Sequence, residues 1–180
     1  MSYCKQTTIT NDAFQHLTNL QSLNMSHCEQ TTITNDAFRH LTNLQSLVMS
    51  GCDRGTLAYI PRTITDDAFR HLSNLQSLDM SGYKHESITD DAFRHLSNLH
   101  TLVMTITDDA FRHLTNLNSL NMSNCGRGMY RETITNGAFR HLTSLTSLNM
   151  SSCCQETITN GAFRHLRLCR GIRHLSRCDI

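Results

Sequence analysis

Apolar positions along this chain follow two rhythms. In Leu23-Asn24-Met25-Ser26 apolar and polar residues alternate, which predicts a short strand with one buried face. In Ala13-Phe14-x-x-Leu17 the apolar spacing is three, which suits a helical turn packed by one side. Both patterns recur. The phrase I-T-x-x-A-F-x-H-L begins at Ile9, Ile33, Ile64, Ile88, Ile106, Ile134 and Ile158, at intervals of 24, 31, 24, 18, 28 and 24 residues. The basic unit is therefore 24 residues, with two insertions and one deletion. One such unit cannot bury its apolar face alone, so neighbouring copies must cover it.

Each phrase is followed by a second frame, Leu20-Leu23-Met25-Cys28 in the first copy. It returns at Leu44-Leu47-Met49-Cys52, Leu117-Leu120-Met122-Cys125 and Leu145-Leu148-Met150-Cys153. This is L-x-x-L-x-L-x-x-C with Met in the third apolar slot, and the chain resembles the leucine-rich-repeat family in its typical subclass of about 24 residues. The resemblance covers roughly residues 1–166. It implies an α/β solenoid, with a curved parallel sheet on the concave side and short helical turns on the convex side. The family usually has Leu two residues past the Asn/Cys slot, where this chain has Gln30, His85 or Gln155.

A repeat lets each residue type be followed down the stack. All seven Phe (14, 38, 69, 93, 111, 139 and 163) fall in the A-F slot and are expected to form a stacked core spine. Seven of the eight Met fall in the strand slot as core filler. Cys4, Cys28, Cys52, Cys125 and Cys153 occupy the Asn/Cys slot. The resemblance implies a buried ladder there, and reduced structural thiols are expected rather than disulfides between adjacent copies. His16, His40, His71, His95, His113, His141 and His165 form a column, six of them preceded by Arg. Asp36 lies three before Arg39 and four before His40, so pairing within one helical turn is expected to account for the charges. That makes the column a solvated convex face rather than a metal site or an anion-binding stripe.

Composition narrows the function. Charged residues are 17% and the formal net charge is +1, which argues against a globally basic nucleic-acid binder. No run of about 18 apolar residues is present, so no membrane span is expected, and the polar stretch 1–10 has no signal-peptide core. A cytoplasmic location is the expectation. Ser, His and Asp recur in every unit, copied with the scaffold, whereas catalysis needs one asymmetric constellation. No phosphate loop, H-E-x-x-H or G-x-S-x-G appears. The chain is expected to be no enzyme and to carry no cofactor and no catalytic or metal site. Cys153, Cys154, Cys169 and Cys178 near His165 and His174 match no familiar zinc spacing.

Two surfaces remain as binding candidates. The concave strands should expose small polar residues, with Asp79 as their only acid. The loops after the strands hold all four Tyr and both insertions, 53–62 and 126–132. Insertions in one phase project from one edge of a solenoid. The 18-residue copy beginning at Ile88 should pinch the stack, so that the flanking insertions lean together. Tyr59, Arg62, Tyr83, Tyr130 and Arg131 are then the candidate anchors, because Tyr and Arg dominate interface energetics.

After Leu166 the repeat dissolves into an Arg-rich stretch, 167–180, which is expected to be a short amphipathic cap of helical character. Residues 1–166 form the array, about six to seven repeats with the first one truncated. Residues 133–180 carry a net +4 and residues 1–132 a net −3. The reading is a non-catalytic protein–protein interaction scaffold with a protein partner, no nucleic acid and no membrane. Alternatives are the substrate-recognition part of a ubiquitin ligase acting with another chain, a secreted receptor-like domain, or a truncated array without a selected function. The sequons at Asn24, Asn121 and Asn149 bear on the secreted reading, since glycans there would obstruct the concave strands.

Overall fold

The distance from each Phe to the strand that follows it is constant. Phe14 stands eight residues before Ser22, and the same eight separate Phe38 from Ser46, Phe69 from Ser77, Phe93 from Thr101, Phe111 from Ser119 and Phe139 from Ser147. All variation in repeat length falls between a strand and the next Phe. The computed structural model describes residues 9–28, 33–50, 64–81, 88–104, 111–123, 134–151, 158–166 and 172–173. Over these residues the constant part of the repeat builds a solenoid. Strands β1 (Ser22–Asn24), β2 (Ser46–Val48), β3 (Ser77–Asp79), β4 (Thr101–Val103), β5 (Ser119–Asn121), β6 (Ser147–Asn149) and β7 (Ile172–Arg173) form one sheet in chain order. Every neighbouring pair is parallel.

The turns opposite the sheet are 3₁₀ rather than α-helical, among them Asn35–Phe38 and Asp66–Phe69. The reason is the apolar period. Phe38, Leu41, Leu44 and Leu47 are spaced by three, and all four are fully buried. A 3₁₀ turn has three residues per turn, so this spacing keeps every apolar side chain on one side. The backbone follows suit, with Leu41 N–H donating to the Phe38 carbonyl and Leu44 N–H to that of Leu41, both at 3.0 Å. Entry into the turn is capped by threonine. The Thr34 hydroxyl accepts from Asp36 N–H, and Thr89, Thr135 and Thr159 accept from the equivalent N–H groups.

The core is one continuous column. Six of the seven Phe are buried and Phe163 is partly so, as the spine reading requires. Phe14 and Phe38 stack with ring centroids 6.4 Å apart, and Phe111 and Phe139 with 5.9 Å. Cys28 is buried, as the slot reading requires, while the other slot cysteines lie outside the described residues. At the first copy the cover is thinner, and Leu17 is 43% exposed where Leu41 and Leu72 are fully buried.

Two expectations are corrected here. The short copy does not disturb the sheet. Thr101, Leu102 and Val103 pair in register with Ser119, Leu120 and Asn121, and Phe111 is fully buried. In the sequence the missing residues fall between β4 and Phe111. The helical cap expected after Leu166 is also replaced in part, since Ile172 and Arg173 pair with Leu148 and Asn149 and extend the sheet as β7.

The convex charges pair between copies, not within one. Arg39 Nη2 reaches Asp12 at 3.3 Å, Arg70 reaches Asp36 at 3.3 Å, and Arg94 reaches Asp67 at 3.4 Å. Arg112 pairs with Asp91 in the same way. The expected pairing of Asp36 with Arg39 and His40 needs the i, i+4 stagger of an α-helix, which a four-residue 3₁₀ turn lacks. Each Arg also donates Nε to the following His, as Arg39 to His40 Nε2 at 2.8 Å and Arg140 to His141 at 2.8 Å. The histidine column is thus occupied as an acceptor row on the scaffold.

The last copy departs from the rule. Gly137 stands in the Asp slot that Arg164 would reach, and among the described residues Arg164 pairs with no acid. His165 Nε2 turns to the Phe139 carbonyl at 2.7 Å instead. A Cβ at Gly137 would meet Thr135 Oγ1 at 3.4 Å, an ordinary contact.

A second inter-copy ladder uses amides. Asn35 Oδ1 accepts from Thr65 N–H at 2.7 Å while its Nδ2 donates to Thr65 Oγ1 at 2.7 Å. Asn11 holds Thr34 and Asn136 holds Thr159 by the same two bonds. Asp66 stands in place of the amide, accepting from both Thr89 N–H and Thr89 Oγ1 at 2.6 Å. These bonds satisfy threonine N–H groups at the start of each turn, which have no intrahelical acceptor.

Three outcomes test this packing. Phe93→Ala removes a buried ring and should cost about 3–5 kcal/mol in denaturant unfolding, while Arg94→Ala should cost under about 1 kcal/mol. Cys28 should react with a thiol reagent only as fast as the protein opens. Gly137→Asp should raise stability by up to about 1 kcal/mol at low salt, with the gain absent at high salt or in an Arg164→Gln background.

Candidate functional site

The sheet leaves one face open to solvent. Along it run two rows, set by the alternation of the strands. The first row is Ser22, Ser46, Ser77, Thr101, Ser119 and Ser147. The second is Asn24, Val48, Asp79, Val103, Asn121 and Asn149, with Arg173 at the next register position. Leu23, Leu47, Leu78, Leu102, Leu120 and Leu148, between the rows, point into the core and are buried.

Most polar members of the second row are committed to the strand ends. Ser26 N–H donates to Asn24 Oδ1 at 2.9 Å, Ser123 N–H to Asn121 Oδ1 at 3.0 Å, and Ser151 N–H to Asn149 Oδ1 at 3.0 Å. Each is an Asx turn that closes a three-residue strand. The Ser26 hydroxyl adds a bond to Asn24 Oδ1 at 2.7 Å, and Ser26 is buried. Asp79 makes the same turn with Ser81 N–H at 2.9 Å, through Oδ1. None of the ion pairs among the described residues involves it.

The surroundings of Asp79 set it apart. Val48 of β2 and Val103 of β4 are its register partners on either side. All three side chains are half-buried. A single carboxylate thus sits between two branched apolar side chains, on a face otherwise made of Ser, Thr and Asn over β1–β6. Of the residues expected to bind a partner, this one lies on the described surface. Tyr59, Arg62, Tyr83, Tyr130 and Arg131 lie outside the described residues.

Among the described residues no group of three or more His, Cys, Asp or Glu side chains is placed to hold a metal ion. No described helix is long and apolar enough to cross a membrane.

One conformation at the strand exit escapes the pattern of apolar positions. His27 has φ of 55°, in the left-handed region. The same phase of the repeat holds Gly51, Gly82 and Asn124, the residue types that adopt this region at least cost. Glycine and asparagine at a fixed offset were the available signal.

Comparison with known proteins gives the same architecture. In a crystal structure titled as a TLR13–ssRNA13 complex, the matching chain is 28% identical, with a TM-score of 0.68 over 87% of this chain. The match covers 22% of that chain, so this protein corresponds to a small part of its length. No curated protein matches the sequence. The BspA-type leucine-rich-repeat region matches residues 7–127 and 101–175, in six copies. With its in-register parallel sheet, its 3₁₀ turns and its Phe column, the chain belongs to the BspA-type leucine-rich-repeat family.

Proposed function

We propose that this protein is a non-catalytic scaffold that binds a protein partner on the open face of its sheet, with Asp79 as the polar anchor. The carrying observation is the trio Val48, Asp79 and Val103 on three adjacent strands. A carboxylate flanked by apolar side chains suits a Lys or Arg whose alkyl stem lies on the valines while its charge meets the acid. The loop-edge residues Tyr59, Arg62, Tyr83, Tyr130 and Arg131 are the proposed second contact, because they share the repeat phase next to the strand ends.

Three features support the reading. The repeated Arg, His and Asp side chains are engaged with one another along the stack, as structural groups are. The same constellation recurs in successive copies, whereas a catalytic site is singular. The TLR13 chain is crystallised with a single-stranded RNA. On this chain the face over β1–β6 offers one acid and no Lys or Arg, which disfavours phosphate.

Affinity capture on the full chain tests this, followed by titration of the captured protein. Asp79→Lys should weaken binding by about thirtyfold or more, as loss of a paired charge does. Retention of full affinity by Asp79→Lys, with loss in a Tyr59→Ala/Tyr130→Ala variant, would move the site to the loop edge. Capture of RNA in place of protein would overturn the reading.

A further inference from the structure

The edge at which the chain enters each strand carries a groove that the scaffold reading does not use. Two columns of carboxamides line it, the asparagines from Asn19 to Asn98 and the glutamines Gln21, Gln45 and Gln76. The open volume is about 570 Å³, and no charged residue lines it.

The asparagine column is fixed by the stack. Asn43 donates Nδ2 to the Thr18 carbonyl at 3.0 Å, Asn74 to Thr42 at 2.9 Å, and Asn98 to Ser73 at 2.9 Å. Each bond ties one copy to the preceding one and uses one N–H of the amide. Among the described residues the Oδ1 atoms of these three side chains accept no hydrogen bond. Gln45 and Gln76 are exposed, and their side chains make no hydrogen bond among the described residues. The groove therefore presents oriented acceptors in one column and free amide donors and acceptors in the next. Both columns repeat at the strand spacing, about 4.8 Å.

We infer that this groove binds a neutral oligosaccharide laid along the stack, with one sugar ring per repeat. A carboxamide offers a donor and an acceptor side by side, the complement of two neighbouring hydroxyls. An extended glycan advances one ring in roughly one strand spacing, about 4.8 Å, so successive rings meet successive copies, and in a 1,4-linked chain, whose alternate rings are flipped, equivalent hydroxyls meet the amides of every second copy. The absence of cations from the lining disfavours a polyanion. An extended peptide presents its like-facing groups every two residues, about 6.7 Å, out of step with the columns. Without an aromatic platform the affinity is set by hydrogen bonds alone, and a millimolar dissociation constant, about 4 kcal/mol, is the expected scale.

The test is titration of the isotope-labelled full chain with cellotetraose, laminaritetraose, maltotetraose and mannotetraose, reading the side-chain amide resonances by nuclear magnetic resonance. At least one should shift the Gln45 and Gln76 signals, and its monosaccharide should bind about tenfold more weakly or worse. The Gln45→Ala/Gln76→Ala variant changes exposed side chains only, which an unchanged melting temperature verifies. It should lose the saccharide response at least about tenfold, while Asp79→Lys keeps it. Absence of any shift with all four saccharides overturns the proposal. So does an undiminished response in the double variant, or a response of these signals to an extended peptide alone.

Discussion

Everything in this molecule depends on bringing one leucine of each strand beside the same leucine of the strand before it. Leu23, Leu47, Leu78, Leu102, Leu120 and Leu148 are paired in that sequence by six three-residue strands. Three residues of parallel ladder hold little by themselves. The register is set by the covalent distance from the buried Phe to that leucine, which is nine residues in each case. Within that distance Phe, Leu, Leu and Leu repeat by three, so the 3₁₀ turn and the strand share one buried side. Insertions and deletions are tolerated because they fall where this distance is not measured.

Such stacking forces like groups into columns, and a column of like polar groups must be satisfied from copy to copy. The chain solves this by offsetting partners by one unit. Asparagine of one copy holds threonine of the next, arginine reaches back to the aspartate before it, and the asparagine at the strand entrance donates to the preceding carbonyl. None of these bonds is strong in isolation. They are spaced along the solenoid at the same step as the strands, so each contributes to fixing neighbours that the core has already brought together. The exposed ion pairs contribute about 0–1 kcal/mol apiece, and their weight lies in orientation more than in stability.

The fold was legible in the sequence because it is written many times over. The seven phrases located the Phe spine, and the alternation around Leu23 and Met25 located the strands. Partnerships across copies were harder to read. Asp36 stands close to Arg39 in the chain, yet its partner is Arg70 at a separation of 34 residues. Local proximity misled because the turn is 3₁₀ and the strand spacing sets the nearest neighbour. The strand continuing at Ile172 was hidden by an arginine-rich context that reads equally well as an amphipathic helix. Asp79 was visible as the lone acid of its face, but its two valine neighbours became adjacent only once the register was known.

The direction of the arginine contacts has a bearing on how such an array grows. Each copy looks back for its acid and offers its own acid forward. A unit inserted or lost by duplication or recombination leaves the pairing intact, whatever the copy number, as long as it carries both residues. The repeats beginning at Ile134 and Ile158 have glycine in place of the acid, at Gly137 and Gly161. Multiplying those units would add one arginine per copy with no acid opposite it in this ladder. Multiplying the units beginning at Ile33 or Ile64 would keep every arginine of this ladder matched to an acid, which makes the interior of the array the part whose length can change without breaking the ladder.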